Sequence, residues 1–409
     1  MVSIASRNNE PRVLQVLPAL QSGGVERGTI EMARAIADAG GTPFVASAGG
    51  RMVPLLDRIG AVHLPLPLAS KDPLTIWLNG GRLARLIRRH GISLVHARSR
   101  APAWSARRGA RLAAVPFVTT WHGVYSENFP GKKHYNRIMA AGDRVIAISD
   151  YVAGRIATQY GVGPDRLRII PRGADASSFD PAMVRGDRVH ALARAWELPD
   201  GAAVVMLPGR ITEWKGHELL LDALARLRAH DPGRSVVGVM VGPVQSETYG
   251  RRLIERAERL GLRPMLRFAG HCNDMPAALA LADLVVVPSL KPEPFGRAVV
   301  EAQAMGRPVV VAAHGAALET VEDGITGFCF PPGDAGLLAS ALHHVLALDP
   351  AERAALGARA RAHVLERYTV AAMQAATLDV YDELLRTPFP PRHPPCPEPL
   401  AGKADPVVA

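Results

Sequence analysis

Short, mostly apolar runs that contain β-branched residues recur along the first part of this chain, at 13–17, 43–47, 62–66, 94–97, 117–120, 144–148 and 167–170. Longer stretches with helical spacing lie between them. That alternation leaves little freedom of fold. Four or five apolar residues with no polar alternation suit a strand covered on both faces, and such strands occur where helices sandwich a parallel sheet. The rhythm stops across 174–201 and restarts at 204–208, continuing at 235–241, 266–269, 284–287, 309–312 and 328–330. A chain of 409 residues exceeds one typical domain, and two units of roughly 150–200 residues fit it better. The expected architecture is α/β, with two doubly wound parallel-sheet domains facing a central cleft, one over 1–175 and one over 176–368. Residues 387–409, rich in Pro and Ala, read as a disordered tail.

In such folds ligands gather at the carboxyl ends of the strands, so the loops there carry the functional argument. The segment from Lys291 to Glu301 is the most informative. It sets two carboxylates, Glu293 and Glu301, eight positions apart around Pro294-Phe295-Gly296, after a strand-like run and before a helix-like one. The helix start offers unpaired N–H groups and a positive dipole end, which suits a phosphate. Acids flanking such a spot need a different partner, and sugar or ribose hydroxyls fit them. Arg210 and Lys215 follow the run ending at Pro208, at another strand-to-helix junction. Two cations there can neutralise a diphosphate and stabilise it as it departs, because leaving-group charge builds in the transition state. Surface charge and helix capping are the plainer alternative, with Glu213 as a partner for either cation.

The first half supplies a facing set. Gly23 and Gly24 follow the first strand-like run, and two adjacent glycines permit a tight turn and close approach of a ligand to backbone N–H groups. No GxGxxG occurs here, no acid closes the second strand, and no GxxxxGK[ST] loop is present, which argues against NAD, FAD and a P-loop. His122, beside Gly123 just past a strand end, is placed to hydrogen-bond a sugar hydroxyl. A buried histidine satisfied by a carbonyl is the alternative. Trp121 and Tyr125 either frame an acceptor or only pack. His271-Cys272 shows no converging ligand set and reads as structural, while Asp143 and Asp283 read as turn formers ahead of strands.

The formal charge of +10 is uneven: residues 1–175 hold 24 Lys+Arg against 11 Asp+Glu, a net of +13, and the remainder is net −3. Arginines crowd 82–89, with Leu83, Leu86 and Ile87 between them, and again 98–111. The first run reads as an amphipathic helix that would attract anionic lipid or an acidic acceptor. A second basic cluster, Lys132, Lys133, His134 and Arg137, suits an acidic acceptor or a solvated face equally well. Nucleic acid is disfavoured, since no helix-turn-helix, RNA-binding or zinc pattern accompanies the charge. The three cysteines, Cys272, Cys329 and Cys396, are scattered, which suggests a reducing compartment without a disulfide framework. No basic stretch followed by an apolar one opens the chain and no run of 18 apolar residues occurs, so neither a signal peptide nor a spanning helix is expected.

Taken together, these segments resemble the retaining glycosyltransferases of family 4. Glu293 and Glu301 around Pro294-Phe295-Gly296 look like the family's E-x7-E motif. Gly23-Gly24 resembles its glycine loop, Trp121-His122-Gly123 its His-Gly segment, and Gly209-Arg210 through Lys215-Gly216 its phosphate-binding segment. Ala147-Ile148-Ser149, Gly315-Ala316 and Glu322-Asp323-Gly324 extend the match over nearly the whole chain. The resemblance implies a GT-B fold of two Rossmann-like domains, with a final helix over 369–386 crossing back onto the first. It implies a nucleotide-diphospho-sugar donor held mainly by the second domain, with Arg210 and Lys215 on the diphosphate. Glu293 would meet the sugar, Phe295 and Gly296 would offer backbone, and Glu301 would bind the ribose. His122 would line the sugar from the opposite domain, and Gly23 and Gly24 would approach the diphosphate or acceptor. No metal or other cofactor is expected.

The implied reaction moves a hexose-type sugar from a UDP- or GDP-sugar to a hydroxyl of a glycan or glycolipid, with retention. Lipopolysaccharide core or a related envelope glycan is the expected setting, reached from the cytoplasm with peripheral contact at the inner membrane face. A nucleotide-sugar epimerase of the same fold would form product from donor alone. A non-catalytic nucleotide-sugar-binding protein would have no need of Arg210, Lys215, Glu293 and Glu301 together.

Overall fold

The computed structural model describes residues 10–21, 23–129 and 131–391. Seven strands, β1 (Arg12–Val16), β2 (Thr42–Ser47), β3 (Val62–Pro65), β4 (Leu94–Ala97), β5 (Phe117–Trp121), β6 (Arg144–Ala147) and β7 (Leu167–Ile169), form one sheet in the order β3-β2-β1-β4-β5-β6-β7. Six more, β8 (Ala203–Pro208), β9 (Val236–Val241), β10 (Leu266–Gly270), β11 (Leu284–Val287), β12 (Val309–Ala312) and β13 (Phe328–Phe330), form a second in the order β10-β9-β8-β11-β12-β13. Every pairing is parallel. Helices cover both faces, which is why the residues of β4, β9, β11 and β12 are buried throughout. The fold is the expected pair of Rossmann-like domains flanking a cleft.

Strand order reverses between β1 and β4 in the first sheet and between β8 and β11 in the second. At such switch points the connections leave toward opposite faces, and a crevice opens at the carboxyl ends of the strands. The loops after β1, β8 and β11 are those that carry Gly23-Gly24, Arg210–Lys215 and Glu293–Gly296.

Local signals set the helix limits. The basic helix runs over Pro73–His90. Asp72 caps it by accepting from the Thr75 N–H at 2.7 Å, Pro73 opens the first turn, and Gly91 at φ 59 closes it. The linker expected across 174–201 contains a helix of its own, Gly186–Ala195.

The chain crosses between the halves twice, side by side. Ala174 donates to the Tyr368 carbonyl and accepts from the Val370 N–H, each at 2.9 Å. Gly173 lies against this crossing so closely that a Cβ would sit 2.1 Å from the Thr369 carbonyl carbon, so no larger residue fits. The helix Val370–Asp382 then packs on the first domain, where Met373, Leu378, Val380 and Tyr381 join Val13, Ile36, Leu94, Val118 and Ile146 in one core. Tyr381 Oη lies 2.7 Å from His96 Nδ1, deep in that core. The tail expected to be disordered from Thr387 is packed as far as Phe389, which is buried and whose N–H donates to Asp382. Residues 392–409 lie outside the described residues.

Candidate functional site

A cavity of about 560 Å³ opens between the two sheets. It is lined by Gly24, His122, Arg210, Lys215, Glu293, Phe295, Gly296 and Glu301, all singled out from the sequence. Gly23 is not on its wall. Gly23 makes the turn, at φ 133, and Gly24 presents the start of helix Gly24–Asp38 to the cavity. No side chain caps that helix start.

The second domain contributes an ionic wall. Lys215 follows β8 on a single turn, Glu213–Lys215, and its Nζ lies 2.5 Å from Glu293 Oε1 with both side chains mostly buried. Ser289 Oγ donates to the same carboxylate oxygen at 2.6 Å. The expectation that Glu213 would pair with Lys215 or Arg210 fails, because Glu213 points to Arg252 at 2.6 Å. Glu301, on helix Arg297–Ala304, accepts from Arg297 Nη2 at 2.6 Å, the i,i+4 geometry of a helix face. Arg210 is exposed at the cavity edge. Phe295 buries its ring edge-on against Tyr368, at 5.8 Å, so backbone is what this position offers the cavity. Gly296, at φ 83, caps the helix start.

The first domain contributes a wall without ion pairs. His122 lies just beyond β5, and burial, reinforced by the charges of Arg172 and Arg98, holds its imidazole well below the usual histidine range. It is uncharged near pH 7. Arg172 Nη1 points at His122 Nδ1 from 3.5 Å. A guanidinium only donates, so Nδ1 is the acceptor and the ring proton belongs on Nε2. That Nε2 is buried and has no hydrogen-bond partner within the protein. His122 thus holds one neutral, unsatisfied N–H donor on a residue that lines the cavity.

Sequence reasoning missed several neighbours. Arg172 lines the cavity, donates to the Gly24 carbonyl at 2.6 Å, and is pulled down to about 9 by burial and by the charge of Arg98. Nothing in Pro171-Arg172-Gly173 separates it from a surface arginine. Arg297 lies between the acids of the motif and was read only as a helix residue. His271 and Cys272, taken as structural, line the cavity with Pro243 and Met275. Trp214 lies beneath Lys215, with the ammonium 4.5 Å from its ring centre. Trp121 is buried, tilted against Tyr125 at 4.6 Å, so it packs rather than framing a ligand. Asp143 and Asp283 accept from the N–H groups of Phe117 and Val204, each at 2.8 Å, as turn formers do. Among the described residues no three His, Cys, Asp or Glu side chains converge as a metal would require.

Comparison with known proteins agrees with this geometry. Residues 22–178 match the pattern of Glycosyltransferase Family 4, and residues 190–363 that of Glycosyl transferases group 1. A D-inositol 3-phosphate glycosyltransferase from Salinispora arenicola is 33% identical over 316 residues, which is 75% of this chain and 67% of that protein. A glycosyltransferase structure from Rickettsia africae superposes with a TM-score of 0.85 at 33% identity, covering 92% of this chain and 99% of that one. The Anabaena protein Alr3699/HepE, solved in complex with UDP-glucose, superposes at 0.78 with 25% identity over 91% of this chain and all of its own.

Proposed function

Because the chain belongs to glycosyltransferase family 4 and is a GT-B glycosyltransferase using a nucleotide-diphospho-sugar, we propose that it transfers a hexose with retention to a hydroxyl of a glycan or glycolipid acceptor. The observation that carries this reading is the convergence of Arg210, Lys215, Glu293 and Glu301 with His122 on one cavity. The UDP-glucose complex of the Anabaena relative supports a donor of that class.

In this reading the diphosphate draws Lys215 and Arg210, and Glu293 turns from Lys215 toward sugar hydroxyls. Glu301 takes the ribose, and the His122 Nε2–H donates to the sugar from the facing wall. The start of helix Arg297–Ala304 and the backbone at Phe295 and Gly296 meet the phosphates. Cations fixed before the reaction favour the departing diphosphate over the bound donor, which is where rate is gained. Glu293 and Glu301 are the carboxylates on the cavity wall, and both are held by cations. A same-face substitution, in which the departing phosphate takes the acceptor proton, therefore fits better than attack by a side-chain carboxylate. The cationic side chains and helix starts, rather than a metal ion, hold the diphosphate in this account.

The acceptor reading draws on the first domain. Trp77 is exposed and lines, with Lys71, Arg107, Arg108 and Arg111, an outer cavity of about 530 Å³, and Leu74 and Leu78 are exposed on the same helix. Arg82, Arg85, Arg88 and Arg89 are exposed on the same helix. A cationic surface with apolar tips suits the inner, anionic face of a membrane and a lipid-linked acceptor such as lipopolysaccharide core. No helix of the described residues is long and apolar enough to cross a membrane. The name of the Salinispora relative favours a second reading, in which the acceptor is a small phosphorylated polyol.

Thermal unfolding with UDP- and GDP-sugars, in the presence of EDTA, tests the donor. A true donor at 100 times its Kd stabilises by about 2.7 kcal/mol. Sugar transfer to inositol phosphate, and separately to glycolipid in detergent, tests the acceptor. Stabilisation by neither donor class, or only with added metal, overturns the donor reading.

A further inference from the structure

The cleft walls touch beside both His122 and Glu293. Helix Asp150–Tyr160, of the first domain, begins there. Its Ser149 is buried, accepts from the Val152 N–H at 3.1 Å as a normal N-cap, and donates its hydroxyl proton to the Pro294 carbonyl at 2.6 Å. Pro294 belongs to the donor loop of the second domain. The next two N–H groups of the same helix are satisfied from the second domain as well. Glu319 Oε2 accepts from Asp150 at 2.8 Å and Oε1 from Tyr151 at 2.7 Å. A helix start leaves its first N–H groups without intrahelical partners, and here they are supplied from across the domain boundary.

Glu319 is itself tied to the donor loop. Its helix, Ala317–Thr320, follows Ala316, whose N–H donates to the Glu293 carbonyl at 3.0 Å. Gly315 is so close that a Cβ would lie 2.7 Å from that carbonyl oxygen. Tyr368 Oη donates to the Glu319 carbonyl at 2.8 Å and packs its ring against Phe295. On the other side, Gly123 lies against Pro294, with room for a Cβ only at 3.4 Å from the proline ring. Glu319 is half-buried, and burial raises its carboxyl above the usual range although the two backbone N–H bonds pull it down.

We infer that Ser149 and Glu319 are positioning residues for the transfer: a two-point latch that fixes the donor loop Glu293–Gly296 against the His122 wall. A cap serving only its own helix would come from that helix. These contacts instead make the start of a first-domain helix complete only when the second domain is closed on it. Two charge-assisted bonds and the helix dipole act together on one carboxylate. The inference rests on the reading that this loop meets the donor.

The test uses the full chain with Glu319→Ala, Glu319→Gln and Ser149→Ala. UDP binding is titrated calorimetrically, and UDP release from UDP-glucose in water reports turnover without an acceptor. Small-angle scattering without nucleotide reports closure. Glu319→Ala is expected to lower kcat at least about tenfold, because misplacement of reacting groups costs rate. UDP affinity should change less than about threefold, since the ionic wall is untouched. The radius of gyration should increase, and Glu319→Gln, which keeps one acceptor oxygen, should fall between wild type and alanine. Combining Ser149→Ala with Glu319→Ala should cost little more than the worse single variant. A folded Glu319→Ala protein with unchanged kcat and unchanged scattering overturns the latch. So does a loss confined to melting temperature and active fraction, with Glu319→Gln no better than alanine. If wild type binds neither UDP nor GDP, the donor reading fails, and the scattering comparison still decides closure.

Discussion

The wall built on the second sheet is made of ion pairs, and the wall built on the first carries one guanidinium, Arg172, beside an uncharged histidine. The second presents the pairs Lys215–Glu293 and Arg297–Glu301 with Arg210 at the edge. The first presents an uncapped helix start at Gly24, an uncharged His122, and one buried guanidinium, Arg172. Yet the first half carries the basic excess, net +13 against −3 for the rest. Eight of its arginines lie on the helices Pro73–His90 and Arg100–Ala113, which carry no acid, and six of the eight are exposed. Net charge per domain therefore reports what surrounds the protein, whereas the reacting charge sits where paired side chains are held out of water.

The comparison breaks first at Lys215. Lys215→Ala removes a cation aimed at the leaving group, and turnover should fall about 10²–10³-fold, as for loss of one preorganised transition-state contact. Glu293 keeps its bond from Ser289, so the melting temperature should move far less than the rate. Parallel melts and single-turnover rates check this, and unchanged turnover in a folded variant would remove Lys215 from the ionic wall.

Acid should act on both walls through stability. Burial holds His96 and His122 well below the usual histidine range, and His217, beside Lys215, is pulled down to about 4. The unfolded chain takes up these protons near pH 6.5, before the folded protein does. Stability is therefore full above 6.5 and falls as pH drops toward 4, with His217 alone contributing a loss of about 3 kcal/mol by pH 4. Denaturant midpoints between pH 7 and 4.5 check the slope, and His217→Gln should flatten it. A flat profile in wild type would mean that these rings are not buried neutral.

His122→Ala tests the first-domain wall. It removes one uncharged donor, so kcat should fall about tenfold while UDP affinity stays near wild type. A drop in UDP affinity as large as that for Lys215→Ala would erase the distinction between the walls. The smallest effect is expected at Gly24. A Cβ there meets only Arg297 Nη1, at 3.5 Å, so Gly24→Ala should leave stability unchanged and weaken donor binding about two- to threefold.

Much of this was legible before the coordinates. Continuous apolar runs separated by helices identified the two sheets, because burial on both faces removes the polar alternation that a half-exposed strand shows. The donor-side residues were legible because they sit in motifs at strand-to-helix junctions, where the chemistry needs particular types at fixed spacing. Arg172 was not legible, since a lone arginine in a loop gives no signal of burial. Glu213 was assigned to its sequence neighbours, but the turn after β8 points it outward to Arg252. Cys272 and His271 were read as structural for want of a converging ligand set, and a place on a cavity wall requires no ligand spacing.

The sequence by itself determined the class of fold, the place of the cleft and the kind of donor chemistry, because periodicity and junction motifs are local and survive translation into structure. Only the tertiary structure decided which acid meets which cation, which tautomer His122 holds, and that Ser149 and Glu319 close one domain on the other. The Ser149 and Glu319 contacts join residues 145 and 169 positions apart, and their geometry depends on how two independently wound sheets are docked.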